Sequence, residues 1–230
     1  MSNTLDQVPT GLFIGGEWLD GADKARIEVV DPATEQVLTD VAGAEVTDGH
    51  DAVDQAAAAL PSWSATAPRL RAEILRAAYE SMVQQADALA ELITLENGKA
   101  LRDAKGEVLY AAEFFRWNSE EAVRNLGTVG ISPSGANRMM VVHQPVGVAV
   151  MITPWNFPAA MATRKIGPAL AAGCTVVLKP ATLTPLTALA IAKILQEAGV
   201  PDGVVNVVTT RHAGPVVSAM LADDPVRQLS

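Results

Sequence analysis

Residues 145–208 read PVGVAVMITPWNFPAAMATRKIGPALAAGCTVVLKPATLTPLTALAIAKILQEAGVPDGVVNVV. An apolar run, Val146 to Ile152, precedes a helical stretch from about Pro158 to Ala172. A second run, Cys174 to Leu178, precedes a helix starting at Thr184-Pro185. That helix carries Ile191, Ile194, Leu195 and Ala198 on one face, and Gly199 closes it. A third run, Val204 to Val208, leads to a last helix from about Ala213 to Leu221. Strand and helix alternate with short connections, which predicts an α/β fold built on a parallel sheet with flanking helices. The runs are apolar without alternation, as in strands buried on both faces.

Upstream, residues 1–126 read as strands followed by helices. Phe13-Ile14 and Glu17-Trp18 flank Gly15-Gly16, a two-residue hairpin signal. Ile27 to Val30 is a further strand, ended by Asp31-Pro32. Thr47 is the expected cap of a helix through Ala59. Pro68 suits the first turn of the next, whose Ile74, Leu75, Ala78 and Met82 have helical spacing. This second helix is expected to run to Asn97, where Gly98 stops it. A third runs from Leu101 to Asn125, with Phe114, Phe115 and Trp117 read as packing residues. Residues 127–145 turn rich in Gly, Ser and Pro around a strand at Met139 to Val142. They read as a linker or as a projecting hairpin of the kind that mediates oligomer contacts. Residues 146–230 form the parallel part. It ends at VRQLS on the start of another strand, which is expected to leave the sheet edge unfinished and the chain incomplete.

Composition narrows the function classes. Seventeen Lys and Arg against 26 Asp and Glu give a formal charge of −9. That balance argues against a nucleic-acid partner, which needs basic clusters, and against an anionic membrane surface. No apolar run reaches the ~18 residues of a membrane span. MSNTLDQVPTG lacks the basic and apolar regions of a secretory signal, so a cytoplasmic location is expected. One cysteine precludes an intrachain disulfide, and His50, His143 and His212 lack metal-ligand spacing, so no metal site is expected.

Open parallel sheets bind ligands at the carboxyl ends of their strands. Two loops fall there, Thr153-Pro154-Trp155-Asn156 and Lys179-Pro180-Ala181-Thr182, both stiffened by proline. Lys179 either meets a ribose diol or a phosphate, or snorkels to solvent. Dinucleotide folds usually place an acid at this strand end. Lys179 and Thr182 stand here instead, which leans any nicotinamide cofactor toward the 2′-phosphorylated form, NADP over NAD. The phosphate fingerprint GxGxxG is absent. Asn156 is either a donor to a developing oxyanion or a turn residue bonding its own backbone. Arg164 reads as a two-pronged grip for a substrate carboxylate or as surface charge. Cys174 sits on an apolar strand without a nearby histidine and reads as a small hydrophobe.

The stretch quoted above, with LENGKAL at 95–101 and FFRWNSEEA at 114–122, resembles the aldehyde dehydrogenase superfamily. The wording TRKIGPALAAGCTVVLKP is most similar to the succinate-semialdehyde dehydrogenase branch. The resemblance runs from the GGEW hairpin onward. It implies a Rossmann-like fold and NAD(P)-dependent oxidation of an aldehyde, such as succinate semialdehyde, to the acid through a cysteine thiolate. It implies that Asn156 stabilises the oxyanion and that Thr153, Pro154 and Trp155 touch the cofactor mainly through backbone. Lys179 is implied at the adenosine ribose, in the same loop as Ala181 and Thr182. Thr182 stands where many NAD-preferring members carry Glu. Arg164 is implied at the distal carboxylate. Family members are about twice this length, and their nucleophilic cysteine, general-base glutamate and Gly-Ser turn have no counterpart here. The 230-residue chain is therefore expected to be an inactive N-terminal fragment of an enzyme that is a homo-oligomer at full length. The alternative is a nucleotide-binding or oligomer-forming half-protein.

Overall fold

The computed structural model describes residues 4–230; residues 1–3, where the stretch read for a signal begins, lie outside it. In chain order the strands are β1 (Leu12–Ile14), β2 (Glu17–Leu19), β3 (Arg26–Val30), β4 (Val37–Ala42), β5 (Thr128–Ile131), β6 (Arg138–Val141), β7 (Val148–Ile152), β8 (Thr175–Lys179), β9 (Val205–Val207) and β10 (Val226–Leu229). The α-helices are α1 (Val46–Ala65), α2 (Pro68–Gln84), α3 (Ala86–Asn97), α4 (Leu101–Glu121), α5 (Pro158–Ala172), α6 (Leu186–Glu197) and α7 (Ala213–Ala222).

The main sheet has the order β10-β7-β8-β9-β1-β2. Its first four strands are parallel. The hairpin β1–β2, turned at Gly15-Gly16, joins β9 antiparallel and makes the sheet mixed. VRQLS does begin a strand, and β10 pairs with β7. The strands are apolar throughout because both faces are covered. Ala149, Met151, Val176 and Leu178 enter one core with residues of α5 and α6, while Val148, Val150 and Val177 enter a second with residues of α1 and α7. The helices α2, α3 and α4 form a further layer outside α5 and α6. β3 and β4 pair with each other as a separate hairpin.

Several helix limits differ from the sequence expectation. The cap of α1 is Glu45, in reciprocal bonding with Asp48, and Thr47 falls inside the first turn. α1 also continues past Ala59 through Pro61 to Ala65, where burial of Trp63 holds the last turn in place. The helix expected to reach Asn97 breaks at Gln85 (φ −96°, ψ 15°) without a glycine or proline. The break redirects α3 so that Leu89, Leu92 and Ile93 are buried, and packing overrides local propensity there. α4 stops at Glu121, four residues short of Asn125. Phe115 is fully buried, but Trp117 is 60% exposed, so the packing expectation fails for that ring.

Residues 127–145 resolve the choice between linker and hairpin. β5 and β6 pair antiparallel as a two-stranded ribbon with every residue exposed.

Asn206 joins the edge hairpin to the parallel strands. Its side chain is fully buried; Oδ1 accepts the Gly15 N–H at 2.9 Å, and Nδ2 donates to the Gly203 carbonyl at 2.8 Å and that of Val176 at 3.3 Å. Asn206→Ala strands these groups inside the fold and is expected to lower unfolding free energy by about 2–4 kcal/mol. Urea unfolding of variant and wild type measures this directly.

Candidate active site

The register of β7 on β8 pairs Ile152 with Lys179, so both ligand loops leave the sheet side by side. The Thr153 N–H donates to the Lys179 carbonyl at 3.2 Å. The Thr182 hydroxyl donates to the Thr210 carbonyl at 2.9 Å, tying the second loop to the one after β9. From α5, Lys165 Nζ donates to the Ile152 carbonyl at 2.8 Å. Burial, with Arg164 adding repulsion, holds that ammonium below the usual lysine range. The chain winds from β7 through β8 to β9 and returns by α7 to β10 on the other side of β7. The strand order therefore reverses between β7 and β10, and the loop from Thr153 opens at that reversal, where α/β sheets take ligands.

Lys179 is 7% exposed, and its side chain has neither a hydrogen bond nor an ion pair among the described residues. Burial alone lowers its pKa. The stem is buried at the carboxyl end of β8 while Nζ has no protein partner, a geometry shared by a ligand-facing and a snorkelling lysine. Thr153 is buried, Ala181 and Thr182 are half-buried, and Pro154, Trp155 and Asn156 are exposed. The Asn156 carboxamide makes no hydrogen bond among the described residues, so it is not the turn residue bonding its own backbone. Arg164, exposed on the second turn of α5, has Nη1 3.7 Å from Met161 Sδ and its guanidinium 6.0 Å from the Phe114 ring centroid. It flanks an open groove with Met161, Lys165 and Gln228. Cys174 is buried just before β8.

The sequence reading missed two glutamates that build the site from behind. Glu107 of α4 accepts the N–H groups of Ala159 at 2.9 Å and Ala160 at 3.3 Å. Pro158 has no N–H, and the Met161 N–H reaches the Phe157 carbonyl, so the first turn of α5 has no donor left over. Glu96 of α3 accepts the N–H groups of Leu186 at 2.8 Å and Thr187 at 2.9 Å, and the Thr187 hydroxyl as well. Helix N-termini at this place in an α/β fold commonly take a phosphate. Here both are filled by the protein's own carboxylates. The signal was present in the sequence: Glu96 lies in register with apolar Leu89, Leu92 and Ile93, and Glu107 with Ala104, Val108 and Ala111. A carboxylate on a buried helix face needs a partner, and both have one.

Among the described residues, no group of three His, Cys, Asp or Glu is placed to hold a metal ion. Among these residues no helix is long and apolar enough to cross a membrane.

The parallel sheet, its mixed edge and the helices on both faces define an α/β unit. Residues 18–230 match the aldehyde dehydrogenase family, and the chain belongs to it. It is 48% identical over 218 residues to succinate-semialdehyde dehydrogenase [NADP(+)] GabD of Escherichia coli (strain K12), covering 95% of this chain and 45% of that protein. It is 46% identical over 218 residues to a glutarate-semialdehyde dehydrogenase of Pseudomonas putida KT2440, with 95% and 45% covered. A crystal structure of an E. coli NADP-dependent enzyme superposes with a TM-score of 0.96 at 46% identity, over 100% of this chain and 47% of that one. The chain thus spans about half the length of the curated relatives it matches.

Burial raises the Glu96 carboxyl to about 7; the donors from Thr187 and Leu186 oppose the rise, and the nearby Glu107 charge adds to it. An unfolded glutamate loses its proton near 4.5, the folded one near 7. Between these values the native state binds more protons than the unfolded state, so this residue's contribution to stability falls as pH rises. Glu96→Gln mimics the protonated form and removes the titration. The variant is expected to gain on the wild type as pH goes from about 5 to 8, read as the difference in thermal midpoints across that range.

Proposed function

We propose that this chain is the cofactor-binding half of an NAD(P)-dependent semialdehyde dehydrogenase, working in the cytoplasm. The carrying observation is Lys179: a largely buried side chain whose ammonium has no protein partner among the described residues, on a residue whose backbone carbonyl accepts the Thr153 N–H of the loop that presents Asn156. Such a group fits the ribose hydroxyls or the 2′-phosphate of a nicotinamide dinucleotide, with Thr182 beside it and no carboxylate to repel that phosphate. Thr153, Pro154, Trp155 and Ala181 supply the proline-stiffened backbone around it. With their N-termini filled by carboxylates, α5 and α6 leave no free first-turn N–H cluster for the pyrophosphate. The cofactor, when bound, supplies the acceptor for the hydrogen that an aldehyde loses on oxidation.

Asn156 is proposed as the donor to the aldehyde oxygen as negative charge develops there. Its free carboxamide on a stiff, exposed loop suits that role. Arg164 is proposed as the grip for a carboxylate at the far end of the substrate. A semialdehyde carrying such a carboxylate agrees with the succinate- and glutarate-semialdehyde activities named for the relatives. The whole protein is proposed to be a homo-oligomer assembled through the 127–145 ribbon. Val129 and Met140, each 76% exposed, are cross-strand partners on an unpaired two-stranded sheet, an apolar surface suited to a second copy.

Lys179→Ala is expected to weaken NADP⁺ binding by roughly tenfold to a hundredfold, the loss of one charged hydrogen bond, with the fold intact. Isothermal calorimetry on the 230-residue chain tests it, and equal dissociation constants remove Lys179 from the site. In the whole protein, Asn156→Ala should lower kcat by about 10²–10³ while nucleotide affinity holds. Unchanged turnover with succinate semialdehyde defeats the oxyanion role.

A further inference from the structure

We infer that Asn97 and Lys99 are positioning residues that lock the Trp155–Phe157 turn and thereby aim Asn156. The inference rests on the oxyanion reading of Asn156 for its meaning, though not for its test. The side chains of Trp155 and Asn156 are exposed, so core packing does not hold this turn. Its backbone is held from the α3–α4 corner instead. Asn97 Nδ2 donates to the Trp155 carbonyl at 2.9 Å. Lys99 Nζ donates to the Asn156 carbonyl at 3.0 Å and pairs with the buried Glu107 carboxylate. The same ammonium lies 4.0 Å from the Phe157 ring centroid. An ammonium has three donors, and here each direction is used.

The corner is shaped for this contact. Gly98 adopts φ +77° at the end of α3, which turns the chain so that Asn97 and Lys99 both reach the same turn. A Cβ on Gly98 would also lie 3.0 Å from Pro32 Cγ. Glu107 closes the arrangement: one oxygen takes Lys99 and the other the first free N–H groups of α5. One carboxylate thus holds Asn156 through Lys99 and, directly, the N–H groups three and four residues beyond it. A rotation of the turn that redirects the Asn156 side chain must break at least one charged bond.

Amide NMR of the 230-residue chain tests this with Lys99→Met, Lys99→Arg and Asn97→Ala, reading backbone order parameters at residues 155–157 and hydrogen exchange at Ala159 and Ala160, whose N–H groups Glu107 accepts. Lys99→Met keeps the aliphatic stem over Phe157 and removes the charge. Order parameters at residues 155–157 should fall from the rigid range of about 0.85 toward about 0.6, and exchange at Ala159 and Ala160 should accelerate about tenfold or more, the factor for one net charged hydrogen bond, while the first turn of α6, capped by Glu96, keeps its rate. Lys99→Arg should restore most of the protection. Asn97→Ala removes a single exposed-side bond and should loosen 155–157 without lowering the unfolding midpoint. Unchanged order parameters at 155–157 in both Lys99→Met and Asn97→Ala overturn the inference. So does equal acceleration in both helix ends without rescue by arginine, since that is general destabilisation. If the turn loosens as expected but Asn156→Ala leaves turnover of the whole protein intact, the clamp stands and the oxyanion reading falls.

Discussion

Two buried carboxylates set the geometry of everything at the ligand edge. Glu107 and Glu96 terminate α5 and α6 by taking their first N–H groups, so the outer helical layer dictates where each crossover helix begins. The loops from β7 and β8 run straight into those capped ends, and their course follows from them. Burying a carboxylate without compensation costs several kcal/mol. Glu107 meets that cost with Lys99 and two N–H donors. Glu96 has donors only, and its carboxyl rises to about 7 accordingly. The first strand-to-helix connection of the parallel part has no glycine fingerprint. That connection carries proline, tryptophan and asparagine instead.

The parallel part of the fold was legible because periodicity is local. Val148 to Ile152 and Val176 to Leu178 are apolar throughout, and the helices that follow them have glycine stops at Gly173 and Gly199. Elements governed by distant contacts were not legible. Nothing in the residues around Gln85 announces a break; it exists because α3 must turn to bury Leu89 and Ile93. The hairpin at Gly15-Gly16 could be read, but not its destination beside β9, which Asn206 secures across 191 positions of sequence.

The site was legible in the same uneven way. Lys179, Thr153 and Asn156 were found by the rule that ligands sit beyond strand carboxyl ends, and the structure places Thr153 and Lys179 in direct backbone contact. Glu96, Asn97, Lys99 and Glu107 were missed, although LENGK was quoted for its resemblance. Their partners lie 52 to 91 residues away, and only the packing of α3 and α4 against α5 and α6 brings them together. A carboxylate in register with buried alanines and leucines was the available clue.

The account turns on the two loops forming one nucleotide site. Titration of the isotope-labelled chain with NADP⁺, followed by amide chemical shifts, addresses it most directly. The predicted result is saturable movement at Thr153, Trp155 and Asn156 together with Lys179, Ala181 and Thr182, stronger with NADP⁺ than with NAD⁺. Shifts confined to other surfaces, or none at millimolar nucleotide, would contradict it.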